Sequence, residues 1–267
     1  MSWAELPGCT LRVARSGHGT ERVVLLHELG GSLESFDAAA ALLAPAFQVL
    51  RYDQRGAGGS EKPRAPFDMA DHAADLHALL RWSGWQGPVL LVGTAAASAI
   101  LAEFALAHPA DVAGLLLCSP AVGATGDAAA YLRTRAERAT QDGMRAVVDT
   151  SLARSFPPPL RGDGAGFSAY RARMMGNDPV GYAHANMALV HATVDQRLGR
   201  LLVPVDVLAG RYDVVCPPEQ VADTASRIPG ARFSLVDSGH LMAVQTPGLV
   251  ADAVHALASR NRKEPAR

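Results

Sequence analysis

The sequence predicts an α/β fold, with a mostly parallel central sheet, helices on both of its faces and one helical insertion. Three observations carry this. Short apolar runs alternate with longer amphipathic ones along most of the 267 residues, the pattern of strand–helix–strand units. Runs such as "VVLL" and "VLLV" are apolar at consecutive positions, as a strand covered on both faces must be. Between residues 123 and 200 the alternation stops, and only helical stretches remain, broken by "FPPPLRGDGAG". The expected division is a core of residues 1–122 and 201–267 with a lid of residues 123–200. The lid belongs near the C-terminal edge of the sheet, where ligands bind in open α/β folds.

In chain order, "RVVLLHE" at residues 22–28 reads as a buried strand, with "SFDAAAALLA" as the helix behind it. "FQVLRYD" at 47–53 is the next strand. "MADHAADLHALLRWSG" has apolar residues at helical spacing and closes on Gly84. "GPVLLVG" is a strand, "AAASAILAEFALAHP" a helix stopped before Pro109, and "VAGLLLCSP" a strand again. After the insertion, "VPVDVLAG" and "ARFSLVD" read as strands, with helices at "PPEQVADTASRI" and "TPGLVADAVHALAS". The charged tail "SRNRKEPAR" is expected to fray.

Composition narrows the function classes. The net charge is −1, so the basic footprint of a nucleic-acid or anionic-membrane binder is missing. No apolar run approaches the ~20 residues of a membrane span. The opening "MSWAELPGCT" has neither the basic start nor the apolar core of an export signal, and a cytoplasmic location is expected. Cys9, Cys118 and Cys216 are scattered, which suits neither a disulfide framework nor a zinc site. The expected partner is a small molecule, with a homo-oligomer left open.

Polar, glycine-rich segments follow the predicted strands: "HELGGS" at 27–32, "YDQRGAGGS" at 52–60, "GTAAAS" at 93–98, "GRYDVVCPP" at 210–218 and "DSGHLMAVQTP" at 237–247. Singly each is an ordinary turn. In this order and spacing they resemble the α/β-hydrolase superfamily over nearly the whole chain. Within it the sequence is similar to 3-oxoadipate enol-lactonases and to the aminoacrylate hydrolases of pyrimidine breakdown.

The resemblance implies roles residue by residue. Asp213 matches the acid and His240 the histidine, in the family's order after the elbow. That pair has a physical sense of its own. Histidine titrates near neutrality, and a carboxylate on its other nitrogen fixes the tautomer. The oxyanion hole would come from the backbone N–H groups of Leu29 and Ala96. Glu28 departs from the usual His-Gly pattern; it points away from the site, is protonated, or works in it, and it is counted among the expected substrate contacts. Asp53 and Arg55 are expected to tie loops together. No metal, nucleotide or organic cofactor is implied.

The clear departure is Ala95, a methyl group at the nucleophile position. Thr94 and Ser98 stand beside the elbow tip, not on it, and Cys118 is expected to be a buried structural thiol. The resemblance leaves three readings open. His240 activates a water that attacks directly, as expected of a hydrolase for a small, carboxylated lactone, ester, carbamate or amide. Alternatively, the chain is an engineered Ser-to-Ala variant. Or it is a non-catalytic binding protein, or a cofactor-free lyase or oxygenase, on the same scaffold. Retention of the acid–base pair argues against a pure binder, and the missing second glycine at Ala97 argues against a single engineered change.

In the insertion, "MMGNDPVGYAHANMALVH" is similar to the lid stretch of the enol-lactonases. Arg133, Arg135, Arg171 and Arg173 are candidates to hold a substrate carboxylate, Arg171 foremost. Tyr182 and His184 are the other expected substrate contacts. His184 and His191, seven residues apart, share a helix face but are too few for a metal site.

Overall fold

The computed structural model describes residues 1–162 and 164–263. Eight strands form one sheet in the order β1-β2-β4-β3-β5-β6-β7-β8. They are β1 (Ser2–Glu5), β2 (Thr10–Ser16), β3 (Glu21–Leu26), β4 (Phe47–Tyr52), β5 (Val89–Thr94), β6 (Val112–Cys118), β7 (Val205–Gly210) and β8 (Arg232–Val236). The pairings from β4 to β8 are parallel; β1–β2 and β2–β4 are antiparallel. The fold class is therefore the one expected, with an antiparallel pair added at one edge. That pair escapes the reading of apolar runs because it is half-exposed: Ser2, Trp3 and Glu5 face solvent, and the buried residues Ala4, Leu11, Val13 and Ala14 are interrupted by polar or exposed ones.

The pleat of β3 shows why both sheet faces are covered. Val23 and Leu25 enter one apolar layer, together with α1 (Asp37–Leu43) and α10 (Pro247–Lys263). Val24 and Leu26 point the other way. They join a layer with α2 (Met69–Ser83), α3 (Ala97–Ala107) and α8 (Pro218–Ser226). Helix α2 starts on a reciprocal capping box between Asp68 and Asp71 and ends at Gly84, whose φ of 74° closes it. Helix α10 continues into the tail that was expected to fray; residues 264–267 lie outside the described residues.

Between β6 and β7 the chain makes α4 (Gly126–Asp142), α5 (Val148–Ser155), α6 (Ala165–Met175) and α7 (Pro179–Val190), with short 3₁₀ turns. Their own apolar cluster includes Val148, Leu152, Phe156, Tyr170 and Met174 and reaches Leu241 of the core. A one-turn helix, α9 (Met242–Gln245), precedes α10. Among the described residues no helix is long and apolar enough to cross a membrane.

Candidate active site

The loops after β7 and β8 meet because Gly210 has no side chain. A Cβ there would lie 2.5 Å from the Gly239 carbonyl oxygen and 2.7 Å from that of Ser238. Tyr212 N–H donates to the Ser238 carbonyl at 3.0 Å and locks the contact. Asp213 then points back into the protein. Its Oδ1 accepts the N–H groups of Val215 (2.7 Å) and Cys216 (2.9 Å), and its Oδ2 accepts His240 Nδ1–H at 2.9 Å. The two charge states support each other. Burial alone would lower the His240 imidazole, but the Asp213 carboxylate outweighs it and holds the imidazole above its ordinary value. Burial alone would raise Asp213; the charge and hydrogen bond of His240 hold it below.

The β5–α3 turn is a tight elbow. Ala95 sits at its tip with φ 53°, in the left-handed region that costs a non-glycine residue ~1–2 kcal/mol. Its N–H donates to the Cys118 carbonyl at 2.9 Å, and its carbonyl accepts from Ser98 N–H (3.0 Å) and Ala121 N–H (3.1 Å). Peptide planarity makes the consequence definite. The Ala95 carbonyl and the Ala96 N–H share one trans plane, so holding the carbonyl edge aims the N–H the opposite way. The same device recurs in the loop after β3. There the Glu28 carbonyl accepts from Gly31 N–H (3.0 Å) and His27 Nδ1–H (2.8 Å), which fixes the plane of Leu29 N–H. His27 is itself held, since its Nε2 accepts from Gln54 N–H at 3.1 Å. Among the described residues, neither the Leu29 nor the Ala96 N–H donates a hydrogen bond.

Ala95, Ala96, Leu29, Glu28 and His240 line one cavity of about 140 Å³. From the insertion it receives Tyr131 and Arg135 of α4, Ser151 and Arg154 of α5, and Tyr170 of α6. Arg135 Nε and Nη2 donate to Asn186 Oδ1 at 2.8 and 2.6 Å. Its guanidinium lies 5.3 Å from the Tyr131 ring centre, and that of Arg154 lies 4.7 Å from it. Burial alone would raise the Tyr131 phenol; the charge of Arg135, with Ser151 and then Arg154 adding to it, outweighs burial and lowers it. Among the described residues neither guanidinium has a carboxylate partner, in contrast to Arg12, Arg51, Arg55 and Arg171.

The other expected contacts lie elsewhere. Arg171 is not a cavity residue: it is half-exposed and gives both arms of its fork to Asp149 at 2.7 and 3.0 Å. His184 packs edge-on against Phe67, 5.6 Å between ring centres, outside the cavity wall. Tyr182 is buried behind Arg135, 5.4 Å from its guanidinium, and does not line the cavity either. Sequence reading missed Tyr131 and Arg154. The i, i+4 spacing of Tyr131 and Arg135 on α4 was the available signal for the first, since it puts both on one helix face. Asp53 and Arg55 do join segments. Asp53 Oδ1 accepts Leu33 N–H at 2.7 Å and its Oδ2 accepts Gly59 N–H at 2.6 Å, while Arg55 is forked onto Asp75.

Among the described residues two groups have metal-ligand composition. Asp213, Cys216 and His240 lie close together, but the Nδ1–Oδ2 hydrogen bond already occupies the nitrogen nearest the carboxylate. His77, His108 and Asp111 are the other group; its imidazoles stack at 4.0 Å and 18°, which does not converge their in-plane nitrogens on one point. Cys9 and Cys118 are thiols that burial pushes up to about 12, inert at neutral pH.

Comparison with known proteins agrees with this geometry. Residues 21–247 match the alpha/beta hydrolase fold family. 3-Oxoadipate enol-lactonase 2 of Acinetobacter baylyi is 23% identical over 239 residues, covering 89% of this chain and 88% of that protein. The putative carbamate hydrolase RutD of Escherichia coli is 25% identical over 237 residues, covering 84% and 86%. The crystal structure of the enol-lactonase from Burkholderia xenovorans LB400 superposes with a TM-score of 0.91 at 24% identity, over 97% of this chain and all of that one. With its sheet order, its strand-to-helix elbow and this match across most of its length, the chain belongs to the alpha/beta hydrolase fold family.

Proposed function

We propose that this enzyme hydrolyses a small, carboxylated lactone, ester, carbamate or amide, with water as the direct nucleophile. One observation carries the reading. His240, held through Nδ1 by the buried Asp213, lines the same cavity as Ala95, together with Leu29 and Ala96, whose backbone N–H groups are unengaged among the described residues. Removing a hydroxyl from the elbow tip leaves room for water there. His240 Nε2 takes a proton from that water, and the hydroxide adds to the substrate carbonyl. Negative charge on the carbonyl oxygen is met by Leu29 and Ala96 N–H, donors fixed before the charge develops. Collapse of the tetrahedral species breaks the bond to the leaving oxygen or nitrogen, which receives the proton back from His240. Asp213 holds the Nδ1–H tautomer throughout.

The carboxylated character rests on Arg135 and Arg154, in place of Arg171. Two guanidiniums, neither paired to a carboxylate, outnumber the one lining carboxylate, Glu28, whose Oε1 is taken up by Tyr170 and Ser35, and this favours an anionic guest. The bond classes considered are those that the names of the enol-lactonase and the putative carbamate hydrolase print. The division into a core of residues 1–122 and 201–267 and a lid of residues 123–200 belongs to the same reading. The test is a panel of short γ-lactones, phenyl esters and carbamates with and without a terminal carboxylate, assayed on wild type and His240→Ala. Turnover that disappears in His240→Ala, with no acyl-enzyme seen by mass spectrometry, is expected. Equal rates for both proteins would remove His240 from the reaction.

A further inference from the structure

We infer that one face of helix α6 and the residues just past it position the Leu29 N–H, so that Tyr170 and Asn177 are positioning residues for the oxyanion hole, acting through Glu28 and Gly30. This rests on the role given to Leu29 above.

Leu29 stands between two residues that the insertion grips. On its N-terminal side, Glu28 Oε1 accepts Tyr170 O–H at 2.7 Å and Ser35 O–H at 2.8 Å. On its C-terminal side, the Gly30 carbonyl accepts Asn177 Nδ2–H at 2.9 Å. Asn177 is held in turn, its Oδ1 accepting Gly58 N–H at 3.2 Å. Between the two grips Met174 presses on the loop. A Cβ on Gly30 would lie 3.2 Å from two Met174 side-chain atoms, and Gly30 has φ 80°. Tyr170 and Met174, at i and i+4, share one face of α6, and Asn177, two residues past its end, folds back beside them with Nδ2 3.4 Å from the Met174 carbonyl oxygen. Together they land on residues 28 to 30.

Glu28 shows what this contact costs. It is a carboxylate 2% exposed, without a cationic partner among the described residues, and its Oε2 has no hydrogen-bond partner among them. Uncompensated buried carboxylates are expensive. A loop that needed only its backbone shape would be served by a residue without that charge. What the carboxylate supplies is a strong acceptor reaching across to the insertion. Tyr170 is matched to it: burial and then the Glu28 charge push its phenol well above the ordinary value, which keeps the O–H a donor. The carbonyl edge of the 28–29 peptide is set from within the core by His27 and Gly31. Tyr170 and Asn177 add the anchors on either side, and so couple the placement of the insertion to the donor that meets the oxyanion.

The test uses Tyr170→Phe, which keeps the ring, and Asn177→Ala, in the full-length protein. Hydrogen exchange of a peptide covering residues 27–33 reads the anchoring without any turnover. We expect exchange at least several-fold faster in both variants, with unaltered exchange in the sheet peptides. Kinetics read the consequence. With monophenyl adipate, a carboxylated ester, and its thionoester, kcat should fall about 10- to 100-fold, the scale of a small displacement of a catalytic group, while KM stays within about threefold. The oxygen-to-sulfur rate ratio should fall with it, because sulfur accepts the oxyanion-hole bonds poorly. Unchanged exchange at 27–33 overturns the inference whatever the rates. Faster exchange with an unchanged oxygen-to-sulfur ratio overturns the positioning role. A wild type that hydrolyses neither ester counts against the proposed function alone, and the exchange result still decides the anchoring.

Discussion

Asp213→Asn is the sharpest probe of the His–Asp pair, because the structure says which way the new amide must face. Two backbone N–H groups, of Val215 and Cys216, donate to Oδ1 at 2.7 and 2.9 Å. In the variant the amide oxygen takes that place, and the NH₂ falls where Oδ2 now accepts from Nδ1 at 2.9 Å. A donor there forces Nδ1 to become an acceptor, and the ring proton moves to Nε2. The imidazole then presents a proton to the water it should deprotonate. Such a tautomer trap costs roughly 10⁴-fold in kcat in serine hydrolases. Loss of the carboxylate acts on pH dependence as well. On the proposed mechanism the base works as the neutral imidazole, so the rate should rise with pH through the His240 value. In wild type Asp213 raises that value, so the rising limb lies above 6.5, the ordinary imidazole value. In Asp213→Asn the main raising cause is gone, and burial, which lowers, is opposed only by the smaller effect of Cys216, so the limb of the residual activity moves to lower pH. The assay is kcat/KM from pH 5 to 10 on a carboxylated lactone turned over by the wild type, with a far-ultraviolet melt to confirm folding. A folded variant with more than a tenth of the wild-type rate, or a limb that does not move, would refute the reasoning.

Three further outcomes follow from single contacts. Ala95→Ser adds a hydroxyl at the elbow tip without adding backbone strain, since the Cβ is already present; a fluorophosphonate should then add covalently at residue 95, and a mass spectrum without the adduct would displace the elbow from the site. Arg135→Gln and Arg154→Gln should each raise KM for a carboxylated substrate by about 10-fold or more, the loss of one charged hydrogen bond of ~1.5–3 kcal/mol, and a matched neutral ester should show no such rise. Gly210→Ala puts a methyl 2.5 Å from a backbone oxygen and should destabilise the fold by ~1–3 kcal/mol in urea titration while spreading the Asp213 and His240 loops, so activity should fall further than stability does.

What was legible in the sequence was whatever depends on chain-local chemistry. Strand β5 could be read because it is buried throughout, and its run "VLLV" leaves no alternation to interpret. The Asp213 and His240 loops were legible as segments after strands. Strand β1 was not: four residues with three of them exposed carry no apolar signal, and their place is set by pairing with β2. The insertion was illegible in a different way. Its helices could be recognised, but which arginine faces the cavity depends on how the helices pack. Arg171 and Arg135 look alike in sequence. Asp149, 22 residues from Arg171, takes the first out of play, and Asn186 holds the second in the wall without neutralising it.

Glu28 marks the limit most clearly. Read locally it is an anomaly, a carboxylate beside an anion-binding corner. Its reason lies 142 residues away, in a tyrosine that no spacing rule connects to it. The two features the local pattern left unexplained, Glu28 and the serine-free elbow, share one cavity. A serine hydrolase forms its bond with a nucleophile covalently fixed at the elbow. An enzyme that relies on unattached water has no such anchor, and more of its rate must come from donors already in place when charge develops. A loop that accepts a costly buried carboxylate in order to be gripped from both sides of Leu29 is consistent with that demand. If the proposed mechanism holds, Ala95 and Glu28 are two parts of one solution, and Tyr170→Phe made in the Ala95→Ser background should cost less in rate than in the Ala95 protein.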